Sequence, residues 1–391
     1  MLLKTLTYQD KTSGWTLQNL ELDRFNLLVG ASGVGKTRIL QAIREIRATA
    51  YLRNQETRGL VGTGSDVAIR FAIKFEHEGQ TYAWEFESEP RNSDPSAEPS
   101  QHYLTPVRTI VTRERLTGSD SGVLIDRDSE RFLFLGHELP LLRRSETALA
   151  LLDEPRIQQV RRALIYQLLD DRRTDIVERY SEASLQAALN KLESLEQLRA
   201  LTLSRVETKA FLLQERFPAQ FERIKELFIE IFPSVEDVSV TKTSFGSLPS
   251  SADVLIHLDF ELKERGVPAR FRSEDLSSGM HRTLTHLIEL WLAPVGAVVL
   301  IDEFENSLGV NCMGPLTEFI QSRASELQFI ITSHHPYIIN KIPKSHWKVV
   351  RRKGSVVTVT PASEIKALQG ASAQDDFTRL LNSPEFEEGL A

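Results

Sequence analysis

The sequence predicts an α/β fold in which a parallel sheet, an antiparallel β subdomain and a helical insertion share one chain of 391 residues. Three observations carry this prediction. Short continuous apolar runs at 25–29, 298–301 and 329–331 have the length and composition of strands buried on both faces. Between residues 67 and 86 apolar and polar side chains alternate, the period of a sheet with one packed and one wetter face. From about 145 to 232 apolar residues recur every three or four positions, the period of helices.

Taken in order, Phe25-Asn26-Leu27-Leu28-Val29 ends in glycine and reads as a strand leaving its sheet through a tight loop. The next segment places Ile39, Leu40, Ile43 and Ile46 on one side of a helix. Val67, Ile69, Phe71, Ile73 and Phe75 then alternate with smaller or charged residues, and after Glu78-Gly79-Gln80 so do Tyr82, Trp84 and Phe86. That pattern is an antiparallel hairpin. Residues 87–100, rich in Ser, Pro, Asp and Glu, read as an exposed loop, and strand-like pieces follow at 108–112 and 131–135. Leu185, Leu189, Leu192, Leu195, Leu198 and Leu201 form a stripe that fits a helix in a bundle; a long intermolecular coiled coil needs several sustained heptads. Phe217-Pro218 marks a helix break, after which Phe221, Ile224, Leu227, Phe228 and Ile231 begin a new stripe. Val254, Ile256, Leu258, Phe260 and Leu262 alternate as a strand, 282–292 and 316–325 are helical, and 355–359 fits an edge strand. No clean linker separates these parts. The boundaries 1–144, 145–232 and 233–391 therefore describe one domain split by an insertion.

Hydrophobic residues make up 41% and charged residues 26%, the balance of a globular chain. With 47 basic and 54 acidic residues the net charge is −7, which argues against a surface that coats nucleic acid but leaves room for a local basic groove. Arg161-Arg162 and Arg172-Arg173 are local basic stretches of that kind, although solvated helix faces explain them as well. The single cysteine, Cys312, cannot close an internal disulfide and fits a reducing compartment. The first ten residues lack a signal-peptide core, and no run approaches the roughly 18 apolar residues of a membrane span. The expectation is a cytoplasmic protein with no membrane partner.

Gly30-Ala31-Ser32-Gly33-Val34-Gly35-Lys36-Thr37 matches the pattern G-x-x-x-x-G-K-[ST] at every position. Its glycines let consecutive backbone N–H groups curl around a phosphate, Lys36 adds a mobile positive charge, and the Thr37 hydroxyl can ligate Mg²⁺. The strand before it and the helix after it are the context that a nucleotide site requires. Downstream, the buried run at 297–301 ends in Asp302-Glu303. In a nucleotide-binding sheet Asp302 would hold Mg²⁺ and Glu303 would orient or deprotonate the attacking water. Asp275-Leu276-Ser277-Ser278-Gly279 precedes a helical pattern and reads as a helix N-terminus, an anion site. Ile331-Thr332-Ser333-His334-His335 follows the next buried run, where a histidine could hydrogen-bond a γ-phosphate or water. Adjacent histidines on a strand point to opposite faces, which disfavours zinc.

The order of these segments resembles that of the ABC-type ATPases of the SMC, RecF and OLD group: phosphate loop, signature at Leu276-Ser277-Ser278-Gly279, Asp302-Glu303, and His334 as switch histidine. Ile301-Asp302-Glu303-Phe304-Glu305-Asn306-Ser307-Leu308 looks especially like compact AAA-type ATPases of bacterial phage-defence systems. The resemblance implies a P-loop NTPase, an ABC-type head with an antiparallel β subdomain and a helical insertion, working with ATP and Mg²⁺. It implies that Glu303, His334 and Lys36 are catalytic and that residues 30–37 with Ser277, Ser278 and Gly279 bind nucleotide. Thr37 and Asp302 are the implied metal ligands. It implies a homodimer or higher homo-oligomer whose heads sandwich ATP, and a switch controlling a separate effector protein in antiviral defence. A RecF-like ATPase acting on DNA ends is the alternative, which keeps DNA open as a ligand. The chain departs from the group in Leu-Ser-Ser-Gly for the commoner Leu-Ser-Gly-Gly, in Gly309 where relatives resemble Leu-His-Pro, and in an insertion far shorter than SMC arms. No TOPRIM-like acidic cluster follows Pro336.

Overall fold

The computed structural model describes residues 1–51, 67–90, 109–166, 168–170, 180–201, 205–247, 254–365, 368 and 379. The chain forms two compact units, one of residues 1–168, 296–302 and 328–391, the other of residues 169–295 and 303–327.

The first unit is built on a long mixed sheet. Val298–Ile301, Gln328–Thr332, Phe25–Val29 and Trp347–Lys353 lie side by side and parallel. The first three are buried along their whole length, which is why their sequences are continuous apolar runs. Register sets Ile301 beside Ile331 and Ile331 beside Leu27. The carboxyl ends of these strands therefore line up, and that is where open α/β sheets bind ligands. Beyond Trp347–Lys353 the sheet continues through Val356–Pro361, Thr16–Glu21 and Leu2–Asp10 into the hairpin Ile69–His77 and Gln80–Pro90. Thr109–Gly118, Gly122–Arg127, Phe132–Phe134 and His137–Leu139 complete the antiparallel part. The helix Lys36–Tyr51 buries Ile39, Leu40, Ile43 and Ile46, the predicted face, in a core shared with Leu6, Leu17, Phe71 and Trp84.

One buried carboxylate organises the far end of this sheet. Glu114 is fully buried and accepts hydrogen bonds from the backbone N–H groups of Ala148 (2.6 Å) and Leu149 (3.2 Å) and from Trp84 Nε1 (3.3 Å). Buried Arg127 lies 3.1 Å from it and donates onward to the carbonyl of Glu146. Burial pushes the Glu114 carboxyl up, and four donors including a guanidinium oppose that push.

The second unit sets helices against an antiparallel sheet of Val235–Ser247 and Val254–Glu264, with Arg270–Arg272 and Tyr180–Ser181 pairing to the latter. Val206–Arg216 and Pro218–Ile231 pack on this sheet and on the helix Ser278–Trp291. Phe217-Pro218 breaks the first two apart as expected, with Pro218 opening the second helix.

Several expectations change. The helical stretch of 145–232 is divided: Ala148–Leu151 and Pro155–Tyr166 belong to the first unit, whereas Val206–Arg216 and Pro218–Ile231 belong to the second, where they pack on a sheet. The leucine stripe is two short helices, Glu182–Lys191 and Leu195–Arg199, because the Ser194 side chain caps a new start by accepting from Gln197 N–H. The strand Gln80–Pro90 takes up the first four residues of the loop expected at 87–100. Glu87, Ser88, Glu89 and Pro90 pair with the strand Thr109–Gly118, where Lys11 joins both glutamates and Ser88 bonds Ile69 N–H. Residues 91–100 lie outside the described residues. Val356–Pro361 is no edge strand, since it is paired on both sides. The helix expected from 316 starts at Val310, with Pro315 inside it. Leu2–Asp10 and Thr16–Glu21 escape a sequence reading because bulges between Leu3 and Thr5 and between Leu6 and Tyr8 break the period of two. Among the described residues no helix is long and apolar enough to cross a membrane.

Candidate functional site

In the first unit the phosphate loop leaves the strand Phe25–Val29 and enters the helix Lys36–Tyr51 as the pattern requires. Gly30 has φ +153°, and a Cβ there would meet the carbonyl oxygen of Val350 at 2.5 Å. Glycine is thus demanded by both conformation and space. Gly30→Ala is expected to weaken ATP binding more than about tenfold, or ~1.4 kcal/mol, by isothermal titration calorimetry. Unchanged affinity would mean that the loop tolerates a shifted entry strand.

Lys36 is buried, and its ammonium is held over the loop by the carbonyls of Gly30 and Ala31, each at 2.8 Å. Arg352 braces the same loop from the neighbouring hairpin, donating to Gly33 O at 3.4 Å and to Gly354 O at 2.7 Å. Trp15 packs beside Gly35, with the Arg38 guanidinium 5.4 Å from the centre of its ring. Ala31 and Val34 are buried and carry the loop on the core.

The Thr37 hydroxyl donates to Asp302 Oδ1 at 3.1 Å, and Thr332 donates to the same oxygen at 2.8 Å. One carboxylate is thus fixed between two hydroxyls at the carboxyl ends of adjacent strands. This set of hard oxygen donors fits Mg²⁺, with Thr37 and Asp302 as the residues that would hold it. Thr332 is a site residue that sequence reasoning misses. Its signal is register: Ile301 pairs with Ile331, so the next residues, Asp302 and Thr332, emerge together.

His334 is exposed just beyond this strand, and Ser333 is buried. His335 plays a structural part instead. Its Nδ1 accepts from Tyr337 N–H at 3.2 Å and caps the short helix Pro336–Lys341.

In the second unit Ser277 caps the helix Ser278–Trp291, accepting from Met280 N–H at 3.2 Å, and both Ser277 and Ser278 are exposed. A Cβ on Gly279 would lie 2.9 Å from Ser307 O, so this glycine lets the helix start press against the loop that follows Glu303. Glu303 follows Asp302 in the chain, is exposed, and has φ +46°. A non-glycine residue in that region is strained by about 1–3 kcal/mol and persists only where its surroundings hold it.

The phosphate loop and the hydroxyl-braced Asp302 carboxylate together have the make-up of a P-loop nucleotide site. The chain belongs to the family described as AAA domain, putative AbiEii toxin, type IV TA system, which matches residues 25–340. No curated protein matches it. Among solved structures it is similar to an SMC head bound to the C-winged helix domain of ScpA. The identity is 15%, the TM-score 0.45, and the match covers 92% of this chain and 97% of that one. It is also similar to the SMC head domain from Thermotoga maritima (12%, TM-score 0.41, 92% and 99% covered). A third is an Smc head with an extended coiled coil bound to the C-terminal domain of ScpA derived from Pyrococcus furiosus (16%, TM-score 0.45, 92% and 96% covered).

Proposed function

We propose that this chain is a Mg²⁺-dependent ATPase that works as a molecular switch, closing as a head-to-head dimer around ATP and opening after hydrolysis. The observation that carries the reading is the Thr37–Asp302–Thr332 cluster beside the lysine-filled loop. Residues 30–37 would wrap the β-phosphate with backbone N–H groups, and Lys36 would offset charge on the β- and γ-phosphates. Bound Mg²⁺ would neutralise the phosphate oxygens. Glu303 would orient water and take its proton as water attacks the γ-phosphorus and ADP departs. His334 would hydrogen-bond the γ-phosphate. Ser277, Ser278 and Gly279 would face the γ-phosphate held by the second copy. The γ-phosphate would then favour the closed dimer by its differential affinity for that state.

The biological role we propose is a cytoplasmic sensor or scaffold that controls a separate effector protein in bacterial antiviral defence. The family description, which names a toxin and a toxin–antitoxin system, supports a partnered role of this kind. The DNA-repair alternative has less support. Arg161 donates to the carbonyls of Ala150 (3.0 Å) and Leu152 (3.4 Å), which ties up one of its basic stretches. Arg172 and Arg173 lie outside the described residues. Native purification followed by mass spectrometry of bound protein, nucleotide and nucleic acid separates the two. A stoichiometric protein partner with ATP or ADP supports the switch; salt-sensitive duplex DNA without a partner supports the alternative.

A further inference from the structure

Glu303 sits in a strained backbone conformation, and three features of the second unit converge on it. Its carbonyl oxygen accepts from Asn306 N–H at 2.7 Å and from the Arg282 guanidinium at 3.3 Å. Arg282 lies on the helix Ser278–Trp291, one turn past the signature residues. Its Nε donates to Nε2 of His286, one further turn along, at 3.3 Å. The His286 ring is buried and lies 6.3 Å from the ring of Phe304, the fully buried residue that follows Glu303.

A histidine can accept from a guanidinium only when neutral. Burial, and next the charge of Arg282, pushes the His286 imidazole down to about 3, so Nε2 is able to accept at any physiological pH. The imidazole thus fixes the plane of the guanidinium, whose other nitrogen reaches the Glu303 carbonyl. A lysine has no such fork. At the start of the same helix, Gly279 presses against Ser307 O in the loop after Glu303. One helix therefore touches the Glu303 segment in three places: Gly279 on Ser307, Arg282 on Glu303, and His286 beside Phe304.

We propose that Arg282, oriented by His286, is a positioning residue that holds Glu303 in its hydrolytic conformation and makes its placement follow the signature helix. The proposal rests on the reading of Glu303 as the residue that activates water. Arg282 acts on the backbone of Glu303, so its loss changes where the carboxylate points and leaves its chemistry unaltered. A shift of about 1 Å at such a group costs up to about a hundredfold in rate.

The test compares steady-state ATP hydrolysis by the full chain with Mg²⁺ for Arg282→Ala, Arg282→Lys, His286→Leu, His286→Gln and Glu303→Gln, each checked by circular dichroism melting. Arg282→Ala is expected to lower kcat about tenfold or more while KM for ATP changes less than about twofold. Arg282→Lys, with one donor group for two acceptors, falls between. His286→Leu lowers kcat like Arg282→Ala, and the double variant loses little more, because the two act as a unit. His286→Gln, whose amide oxygen accepts as the imidazole does, recovers much of the rate lost in His286→Leu. If His286→Leu does not fold, the half-buried Arg282 variants decide alone. Wild-type kcat in folded Arg282→Ala, with Glu303→Gln slow, overturns the proposal and leaves the role of Glu303 standing. A raised KM at constant kcat also overturns it, since that marks a nucleotide contact. Full turnover by Glu303→Gln removes the underlying reading, and the proposal with it.

Discussion

Glu303→Gln is expected to bind ATP as the unmodified chain does and to hydrolyse it at least about a hundredfold more slowly. The two side chains are nearly isosteric, and Glu303 is exposed, so the exchange removes basicity with little change in packing. The clamp on its backbone uses the carbonyl oxygen, which the exchange leaves in place. Phosphate release measured beside ATP titration checks both halves of this expectation. Turnover at the original rate would take Glu303 out of the reaction. Loss of ATP binding would mean that its carboxylate serves the ground state.

Glu114→Ala is the largest stability effect expected. It removes the acceptor for two backbone N–H groups and an indole, and it leaves the Arg127 charge buried without its carboxylate. Breaking one side of a buried pair costs about 3–5 kcal/mol. For a unit of this size that lowers the melting temperature by roughly 10 °C. Glu114→Leu combined with Arg127→Met should recover a large part of the loss, because it removes both charges together. Differential scanning calorimetry of the original chain and both variants reads the comparison. A melting temperature within about 2 °C of the original for Glu114→Ala would show that water replaces the carboxylate.

The same residue shows where sequence stops being informative. Arg113-Glu114-Arg115 is a run of three charged residues, yet Glu114 is fully buried; its partners Ala148 and Leu149 come more than thirty positions later. By contrast, residues 30–37 are legible because each glycine and the lysine answer to a local backbone demand that spacing alone encodes. The Ser277 cap is legible for the same reason. Asp302 can be read because a fully buried strand needs no pattern beyond continuous apolar residues before it. Thr332 and Arg282 lie in segments that sequence marks, but their roles depend on neighbours 30 and 21 positions away. Strand Val235–Ser247 is hidden because a register shift between Val235 and Asp237 interrupts its alternation. The leucines of 185–201 keep a helical period across a serine cap, so period alone does not show that two helices share the stripe.

If the γ-phosphate closes two copies of the chain on each other, the closure is visible as mass. Multi-angle light scattering of the slow-turnover Glu303→Gln chain, with Mg²⁺ and either ATP or ADP, tests it most directly. ATP is expected to raise the mass by one whole chain relative to ADP, and Ser278→Arg on the signature is expected to prevent the increase while leaving ATP bound. The same mass with ATP and ADP, at concentrations where ATP binding is saturated, would contradict the switch.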